Sequence, residues 1–519
     1  MTGRTEQDRL AAPAELKQRI DQRLEAMTRD AVIRRIYEGD HTVWKDDPTE
    51  ITRPDRLGWL TVADGMLGEV PRLEGFAAAV CADGLKTVVL LGMGGSSLAP
   101  EVLYNTFGAR NGGLDLRVLD TTVPADVIAL EKAIDINAAL FIVASKSGTT
   151  IETTSQLAYF WEKLPDGAHF VAITDPGTPL AATAQEREFR ALFLNPDSMG
   201  GRYSALSFFG LVPAALMGVD LRSLLTSAQT MAQACKLLVP AENPGARLGA
   251  VLGETAQAGR DKLTLVLPTT MASLGDWVEQ LVAESTGKEG KGIVPVVGEP
   301  LGAPAVYGND RLFVALGEHE GLDVLEAAGH PVMRLPYEGR DQLGSEFFRW
   351  EFAIASAGYV LGINPFDQPD VQRAKDAAAS ELEAGEREVQ PSATVRELLD
   401  SIKPGDYAAL QAYLPRSEAV RGRLAALRLK LRDRYRVATT AGFGPRYLHS
   451  TGQLHKGGPN TGVFFQLIDG GGPDVPVPGR PYTFGGLLRA QARGDFEALR
   501  ALGRRVTRVR LEELEEALR

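Results

Sequence analysis

The sequence predicts an α/β protein with two successive parallel-sheet units and a C-terminal portion that combines helices with a third, smaller set of strands. The first observation is that short apolar runs alternate with helix-length segments from residue 86 onward, and these runs are continuous, as in strands buried on both faces. The second is a helical stretch at 203–238 that separates two such series. The third is the length of 519 residues, which suggests about three units.

The N-terminal segment, residues 1–59, is expected to form a helical arm and a linker. Apolar residues recur at helical spacing within 16–27, which predicts an amphipathic helix. The stretch at 39–59 is polar and rich in turn residues, so we expect a surface loop there.

The two sheet units are assigned to residues 60–238 and 239–380. Each contains four apolar runs of strand length, bounded by turn residues. The predicted strands lie at 87–91, 116–119, 140–144 and 170–174 in the first unit, and at 263–267, 293–297, 312–316 and 332–335 in the second.

The C-terminal portion, residues 381–519, begins with predicted helices. Ala, Leu, Glu and Arg dominate residues 378–435, and a break is expected near 403–405, where Lys-Pro-Gly occurs. Strands are then predicted at 436–440, 463–468 and 506–511.

The composition argues against several classes of protein. A formal net charge of −11 disfavours nonspecific nucleic-acid binding. No apolar run approaches the roughly 20 residues of a membrane helix, and the N-terminus lacks a signal-peptide core. We therefore expect a cytoplasmic protein whose partner is a small molecule rather than a nucleic acid or a membrane.

Metal and disulfide sites are not indicated. The six histidines form no HxH or HxxxH set, and Cys81 and Cys235 are isolated from each other. The sequence therefore predicts neither a metal site nor a cofactor. The absence of a disulfide pattern fits a reducing compartment.

A glycine-rich loop, Gly-Met-Gly-Gly-Ser-Ser at 92–97, follows the first predicted strand. Glycines let backbone amides approach an anion, and a helix N-terminus adds about half a positive charge. Ser97 stands where a GxGxxG fingerprint needs its third glycine, and no P-loop lysine follows, so nucleotide binding is disfavoured. By itself, the loop fits an anion site and a tight turn without a ligand equally well.

A second loop, Ser-Lys-Ser-Gly-Thr-Thr at 145–150, follows the strand predicted at 140–144. Thr149 and Glu152 have the spacing of a capping box, which predicts a helix start. Hydroxyls and amides without a magnesium-binding pattern suit a static phosphate ester better than a transferred phosphoryl group. We predict a phosphate site, with a Ser/Thr-rich helix cap as the alternative.

This second loop resembles the phosphate-binding loop of sugar isomerase (SIS) domains. Other segments narrow the resemblance to the phosphoglucose isomerase family, and they occur in the family's order. These segments are Gly-Gly-Arg-Tyr-Ser at 200–204, the stretch at 280–288, and the stretch at 362–368 followed by Lys375. The resemblance implies two SIS domains of flavodoxin-like topology, followed by the helical and α/β C-terminal portion.

The segment at 40–45 also resembles the isomerase half of transaldolase–phosphoglucose isomerase fusions. A transaldolase barrel needs about 200 residues or more. Only the residues before 86 precede the first strand, so we expect transaldolase activity to be absent.

The resemblance implies the reversible isomerisation of glucose 6-phosphate and fructose 6-phosphate through a cis-enediol(ate), as in glycolysis and gluconeogenesis. It assigns the proton-shuttling base to Glu284, and one carboxylate over one face of the substrate suffices for both proton transfers. It assigns stabilisation of the enediolate charge to Arg202, held by Gly201. A surface carboxylate and a surface ion pair are the structural alternatives for Glu284 and Arg202.

The family opens the sugar ring with a histidine and a lysine, and Lys375 matches the lysine. The usual histidine segment should precede Gln368, but no recognisable one occurs there. Instead, Leu-His-Ser-Thr-Gly-Gln at 448–453 resembles the histidine segment of the shorter bacterial isomerases. This makes His449 the candidate, while His455 remains a competitor.

The resemblance also implies contacts to the phosphate and to the sugar. The implied contacts are Ser145, Ser147, Thr150 and the amide of Lys146 for the phosphate, and Gly95, Ser96, Glu152, Gly201 and Gln368 for the sugar. The family completes its site with a neighbour's histidine, so a homodimer is implied as well.

Two other functions remain open at this point. A noncatalytic sugar-phosphate-binding SIS module would keep the loop at 145–150 but would have no use for Glu284, Arg202 or Lys375. Their joint presence argues against it. A dual glucose/mannose 6-phosphate isomerase is compatible with the sequence.

Overall fold

The computed structural model describes residues 8–47, 56–110, 112–370, 380–382, 392–468 and 471–519. Its N-terminal elements are β1 (Arg9–Ala11), α1 (Ala14–Arg29) and α2 (Val32–Tyr37). The predicted apolar stripe of α1 is buried, as expected for an amphipathic helix. Part of the loop predicted at 39–59 lies outside the described residues.

The next elements form the first sheet and its helices. They are α3 (Val62–Ala82), β2 (Thr87–Gly92), α4 (Leu98–Phe107), β3 (Asp115–Leu119), α5 (Pro124–Ala133), β4 (Ala139–Ala144), α6 (Ile151–Lys163), β5 (Phe170–Thr174), α7 (Pro179–Glu186) and β6 (Ala191–Leu194). The strand order is β3-β2-β4-β5-β6, and all neighbours are parallel. This is a doubly wound order, with helices on both faces.

Three helices lead into the second sheet, and two of them lie in the stretch predicted to be helical at 203–238. The elements are α8 (Phe208–Leu216), α9 (Leu221–Ala234), α10 (Pro244–Gln257), β7 (Lys262–Val266), α11 (Leu274–Thr286), β8 (Val294–Val296), β9 (Arg311–Leu316), α12 (Leu322–Ala327), β10 (Val332–Leu335) and α13 (Leu343–Leu361). The strand order is β1-β10-β9-β7-β8, in which only the β1 pairing is antiparallel among the described strands.

The C-terminal elements form a third sheet with its own helices. They are α14 (Val395–Asp400), β11 (Tyr407–Tyr413), α15 (Glu418–Tyr435), β12 (Ala438–Phe443), α16 (Gly452–Gly457), β13 (Gly462–Ile468), α17 (Phe484–Ala501), β14 (Arg505–Val509) and α18 (Leu511–Ala517). Their parallel order is β12-β11-β13-β14.

One helix prediction is wrong. Residues Tyr407–Tyr413 fall in the stretch predicted as helical, but they form β11, a central strand of the third sheet. Every residue of β11 is buried, because strands flank it on both sides and helices cover the sheet. Burial in the centre of a sheet outweighs the helix propensity of its alanines.

The predicted α/β fold class is confirmed, and the strands predicted in the two central units have bounds within one residue of those observed. The division at residues 59, 238 and 380 remains our proposal for the domain boundaries. No helix among the described residues combines the length and apolar character needed to traverse a bilayer.

Candidate active site

The candidate site lies at the carboxyl edge of the first sheet. The chain leaves β2 toward β3 on one side and returns to β4 on the other, so the order of strands reverses between β2 and β4. In open α/β sheets, ligands bind outside the strand ends at such a reversal. The loops at 92–97 and 145–150 follow these two strands, and we call the second one the cradle loop.

Hydroxyl groups of the cradle loop bond to one another. Ser145 Oγ lies 3.0 Å from Thr150 Oγ1, and Ser147 Oγ lies 3.0 Å from Thr149 Oγ1. Gly148 turns the chain with a φ of +68°, a conformation in which glycine is favoured. The loop therefore presents a compact group of hydroxyls directly before α6.

The predicted capping box at the start of α6 is wrong. Thr150 is the N-cap residue and makes no side-chain cap, and Glu152 instead accepts a hydrogen bond from Gln491. Glu152 does not cap the helix because its carboxylate instead contacts Gln491 and His449, both from the C-terminal portion. The first amides of α6 consequently have no side-chain cap, as suits a helix end that receives an anion.

The side chain of Lys146 forms an ion pair with a residue outside the cradle loop. Its ammonium group is paired with Asp175, which follows β5. The sequence-based assignment gave Lys146 a backbone contact, and this side-chain orientation is compatible with it.

The loop at 92–97 packs closely against other segments. A Cβ atom on Gly95 would lie 2.2 Å from the carbonyl oxygen of Gly201. One on Gly94 would lie 2.8 Å from the carbonyl oxygen of His449 and 2.9 Å from Gln280 Nε2. Glycine at both positions therefore lets the segments carrying Arg202, Glu284 and His449 meet here.

Arg202 is buried and held by four neighbours. Its Nε donates to Ser285 Oγ at 2.7 Å, and its Nη1 donates to Gln368 Oε1 at 2.9 Å. Its Nη2 donates to the carbonyl oxygens of Pro365 at 2.7 Å and Asp367 at 3.0 Å. With its N–H groups fixed in these directions, the guanidinium is a positive charge of defined position.

Glu284 lies near the C-terminal end of α11 and is 8% exposed. Its Oε1 is 3.6 Å from Arg202 Nη1, and its Oε2 accepts a hydrogen bond from Gln280 Nε2 at 3.1 Å. The same Nε2 lies 2.7 Å from the carbonyl oxygen of His449. Gln280 thus links the carboxylate to the histidine segment.

His449 faces Glu152, with Nε2 at 2.8 Å from Oε1. Gln491 of α17 donates to the same oxygen at 2.7 Å, and Thr122 Oγ1 donates to Gln491 Oε1 at 2.8 Å. Because an ionised carboxylate only accepts hydrogen bonds, Nε2 is the protonated nitrogen in this contact. In the neutral ring, Nδ1 is then free to accept a proton.

His455 is a core residue. Its ring packs against Tyr407, Tyr447 and Phe464, and its Nδ1 lies 3.2 Å from Gln411 Nε2. Burial holds the pKa of His455 well below its ordinary value. This environment suits a structural, neutral histidine.

Lys288, two residues after α11, was not singled out from the sequence. Its Nζ donates to the carbonyl oxygens of Asn364 at 2.7 Å and Asp367 at 2.6 Å, and to Asp367 Oδ1 at 2.6 Å. Burial lowers its pKa to about 8. Lys288 thereby stabilises the 364–367 backbone, whose carbonyl oxygens also bind Arg202.

The structure brings together most of the predicted site residues. The contacts described above connect a set of predicted residues, and the cradle loop lies directly before the last of them. The connected residues are Gly95, Gly201, Arg202, Glu284, Gln368, His449 and Glu152. Ser96 is buried in the first loop. Lys375 lies outside the described residues.

Sequence reasoning missed Gln280 and Gln491. Gln280 lies one helical turn before Glu284, so the i,i+4 spacing was a usable signal. Nothing in the sequence around Gln491 indicates its contact with Glu152, 339 residues away.

Within the part of the chain that is described, no group of three or more His, Cys, Asp or Glu side chains is arranged to hold a metal ion. Cys81 and Cys235 are free thiols.

Comparison with known proteins is consistent with this geometry. The family profile described as "Phosphoglucose isomerase" matches residues 75–302. A glucose-6-phosphate isomerase from Rubrobacter xylanophilus is 30% identical over 365 residues, which cover 58% of this chain and 83% of the relative. One from Thermosynechococcus vestitus is 28% identical, over 62% of this chain and 70% of that relative.

Solved structures show the same fold. A hypothetical protein from Thermus thermophilus superposes with a TM-score of 0.61 at 24% identity, covering 72% of this chain and all of that one. A glucose-6-phosphate isomerase from Chlamydia trachomatis superposes with a TM-score of 0.54 at 20% identity, covering 62% of this chain and 74% of that one.

Proposed function

This chain belongs to the phosphoglucose isomerase family, and from that premise we propose that it interconverts glucose 6-phosphate and fructose 6-phosphate. It acts as an aldose–ketose isomerase, an intramolecular oxidoreductase. The observation that carries the proposal is a buried carboxylate, Glu284, with the fixed guanidinium of Arg202 at 3.6 Å. Contacts through Gln280 and His449 connect that carboxylate to Glu152, beside the cradle loop.

Glu284 is the proposed base. Its carboxylate takes the proton from C2 of the open-chain aldose and returns a proton to C1, so the base ends unchanged. Over the same steps O1 gains a proton and O2 loses one, which converts the aldehyde at C1 into a hydroxyl and leaves a ketone at C2. General-base catalysis of this kind contributes about 10²- to 10⁴-fold.

Arg202 is the proposed stabiliser of the enediolate. Negative charge develops on the substrate oxygens while C2 loses its proton, and a preorganised cation nearby lowers the free energy of that state. The hydrogen bonds of Arg202 to Ser285, Gln368 and the 365–367 backbone keep the charge in place before substrate arrives.

His449 is the proposed ring-opening residue, together with Lys375. Glu152 orients the imidazole through Nε2, which leaves Nδ1 to exchange a proton with the ring oxygen or the anomeric hydroxyl. The core position of His455 favours His449 over its competitor.

The cradle loop is the proposed phosphate site, and the other implied contacts are proposed for the sugar. We assign the phosphate to Ser145, Ser147, Thr150 and the Lys146 amide, and the sugar to Gly95, Ser96, Glu152, Gly201 and Gln368. The hydroxyl cluster and the uncapped start of α6 support the phosphate assignment.

We further propose a cytoplasmic homodimer with a role in glycolysis and gluconeogenesis, on the family resemblance. The contact of His449 with Glu152 lies within one chain, so the proposed dimer does not depend on a histidine supplied by the neighbour. Sedimentation velocity checks the dimer: a monomeric mass for the active protein contradicts it.

A coupled assay tests the function. The purified protein should convert fructose 6-phosphate to glucose 6-phosphate in buffer containing a chelator, with glucose-6-phosphate dehydrogenase as the reporter. Glu284→Gln, which keeps the shape and a hydrogen-bond acceptor, should lose about 10²-fold or more in kcat while still binding the substrate. Wild-type protein without isomerase turnover overturns the function, whereas a Glu284→Gln variant with near-normal kcat overturns only the base.

A further inference from the structure

The third sheet repeats the winding of the first. Its order β12-β11-β13-β14 places the first strand of the unit between the second and the third, as the order β3-β2-β4-β5 does in the first sheet. The equivalent reversal in the third sheet lies between the carboxyl ends of β11 and β13. This is the position at which such sheets bind ligands, and in the first sheet it holds the candidate active site.

A cavity of about 650 Å³ lies at this position. Tyr413 and Pro415, at the end of β11, and Ile468, at the end of β13, form one side. Residues 123–125, after β3, and Leu488 of α17 form another. The volume falls in the range of roughly 300–1,000 Å³ that is typical of small-molecule sites. None of the proposed active-site residues lines it.

The cavity contains an unusual charge, Arg508, near the end of β14. Within the described residues its guanidinium makes no hydrogen bond or ion pair, and its Nε is buried without a partner. Arg489, the other arginine of the cavity, lies 3.6 Å from Asp474 Oδ2. The Cζ of Arg508 lies 5.9 Å from the centre of the Phe496 ring, and the carboxylate of Glu497 acts on Arg508 through space without forming an ion pair. A partly buried guanidinium without an ion-paired carboxylate is costly, and buried polar groups are normally paired.

The nearby carboxylate is already engaged. Asp474 accepts hydrogen bonds from Thr483 Oγ1 and from the amides of Val475 and Gly485, each at 2.7 Å. These hydrogen bonds lower the pKa of Asp474. One of them also gives the amide of Gly485, in the first turn of α17, a hydrogen-bond acceptor. Asp474 is therefore fixed by its own loop and is not available to Arg508.

We propose that this cavity binds a small organic anion, whose carboxylate or phosphate group pairs with Arg508 and whose apolar body contacts Tyr413, Pro415 and Leu488. A guanidinium fork matches both anions in a bidentate manner, and largely apolar walls select an organic body over inorganic phosphate.

Helix α17 connects this cavity to the proposed active site, so the following consequence rests on the proposed function. Leu488 and Ala492 line the cavity, and Gln491 between them donates to Glu152 Oε1. On the other wall, the hydroxyl of Tyr413 lies at hydrogen-bond distance, 3.1 Å, from that of Tyr447, two residues before His449. A bound anion that shifts α17 is expected to alter the Glu152–His449 contact and hence the rate of ring opening.

Binding is tested by isothermal titration calorimetry of the full-length protein with benzoate and with phenyl phosphate, using benzamide as the neutral probe. We expect at least one anion to bind with a Kd below about 10 mM, benzamide to bind more weakly, and Arg508→Met to weaken the anion by about tenfold. Arg489→Met is the matched control and should change the Kd less than about twofold.

If Arg508→Met does not fold, as judged by its thermal unfolding curve, Arg508→Lys replaces it. Lysine keeps the charge but loses the fork, so the Kd should rise by about threefold. Wild-type protein that binds neither anion, or variants at Arg508 that bind as tightly as wild type, overturn the site. These outcomes do not depend on isomerase activity.

Steady-state kinetics test the link to the active site. A saturating concentration of benzoate, or of phenyl phosphate where only that anion binds, should change kcat/KM for ring-closed glucose 6-phosphate at least about twofold in wild type and leave it unchanged in Arg508→Met. An equal effect in both proteins identifies competition at the active site and overturns the link, as does binding without any change in rate.

Discussion

The cradle loop and the buried group around Glu284 are built in different ways. In the cradle loop, the hydrogen bonds between the Ser and Thr hydroxyls join residues no more than five positions apart. Around Glu284, Arg202 bonds to Ser285 and Gln368, which are 83 and 166 positions away. We call the second region, comprising Arg202, Gln280, Glu284, Ser285 and Gln368, the carboxylate pocket. The cradle loop is a local motif, whereas the carboxylate pocket exists only when distant segments have assembled.

The two regions also differ in exposure, which sets the effect expected of mutations. Ser147 is exposed, while Arg202 is 2% exposed and Glu284 8%. Losing one exposed hydroxyl removes a hydrogen bond worth about 0.5–1.5 kcal/mol. Removing one partner of a buried charge pair costs about 3–5 kcal/mol, because the other charge is left uncompensated. Variants of the pocket should therefore lose both stability and turnover, and variants of the cradle loop should mainly lose affinity.

The largest effect is expected for Arg202→Met. It removes the charge beside Glu284 and leaves the acceptors on Pro365, Asp367 and Gln368 without their donor. We expect kcat/KM in the coupled assay to fall about 10²- to 10³-fold and urea unfolding to shift to a lower midpoint. Arg202→Lys keeps the charge but lacks the planar guanidinium that makes several hydrogen bonds at once. It should therefore recover only part of the loss in kcat/KM and part of the loss in stability. A variant within about tenfold of wild type in kcat/KM would show that the pocket tolerates the loss of its cation.

This contrast also explains what was predictable from the sequence. The two central sheets were predictable because continuous apolar runs mark strands buried on both faces, and the cradle loop because all its residues lie in one segment. Strand β11 was not predictable from the sequence, because its alanines favour a helix. Its strand conformation depends on pairing with the neighbouring strands β12 and β13.

Within the site, the same physical limit applies. The partners of Glu152 come from His449 and Gln491, 297 and 339 residues away, so a local rule assigned Glu152 to a capping box instead. Gln280 lay within reach of sequence reasoning, since it is one helical turn from Glu284. The role of Lys288 depends on where the 364–367 backbone runs, which no spacing rule contains.

The second prediction separates the two histidines. His449→Ala should lower kcat for ring-closed glucose 6-phosphate by about 10²-fold, because the acid–base group that opens the ring is lost. His455→Ala should instead lower the thermal unfolding midpoint, since it leaves a cavity between Tyr407, Tyr447 and Phe464.

The measurements are steady-state kinetics and differential scanning calorimetry on both variants. His449→Gln, which keeps hydrogen-bonding capacity toward Glu152 but has no titratable group, is the control for simple loss of the contact. Should His455→Ala be the variant that loses turnover while remaining folded, the assignment of the ring-opening residue reverses.

The third prediction concerns the cradle loop alone. Ser147→Ala should raise KM for fructose 6-phosphate by about three- to tenfold and leave kcat within about twofold, because the phosphate is held equally in substrate and transition state. Thr149→Ala is the matched control: Thr149 bonds to the same hydroxyl at 3.0 Å but is not among the proposed phosphate contacts. Equal rises in KM for both variants would indicate that the hydroxyl network, rather than Ser147 itself, binds the phosphate.

The last prediction concerns stability alone and the protonation of Lys288, at the edge of the carboxylate pocket. Burial lowers the pKa of Lys288 to about 8, whereas an unfolded lysine titrates near about 10.4. Between these values the unfolded chain binds more protons than the folded one, so the free energy of unfolding gains a contribution that rises with pH. Below about pH 8 both states are protonated, and this slope disappears.

The stability of wild type relative to Lys288→Met should therefore rise from about pH 8 to about pH 10, by at most about 1.4 kcal/mol per pH unit. Urea unfolding at several pH values measures the difference, and titrations shared by both proteins cancel. Lys288→Arg provides an independent comparison, because arginine stays charged throughout and the difference from wild type should rise in the same way. A difference that stays flat over this range would mean that Lys288 keeps its proton. In that case the hydrogen bonds of Lys288 to Asn364 and Asp367 would offset the effect of burial on its pKa and keep its ammonium group charged beside the carboxylate pocket.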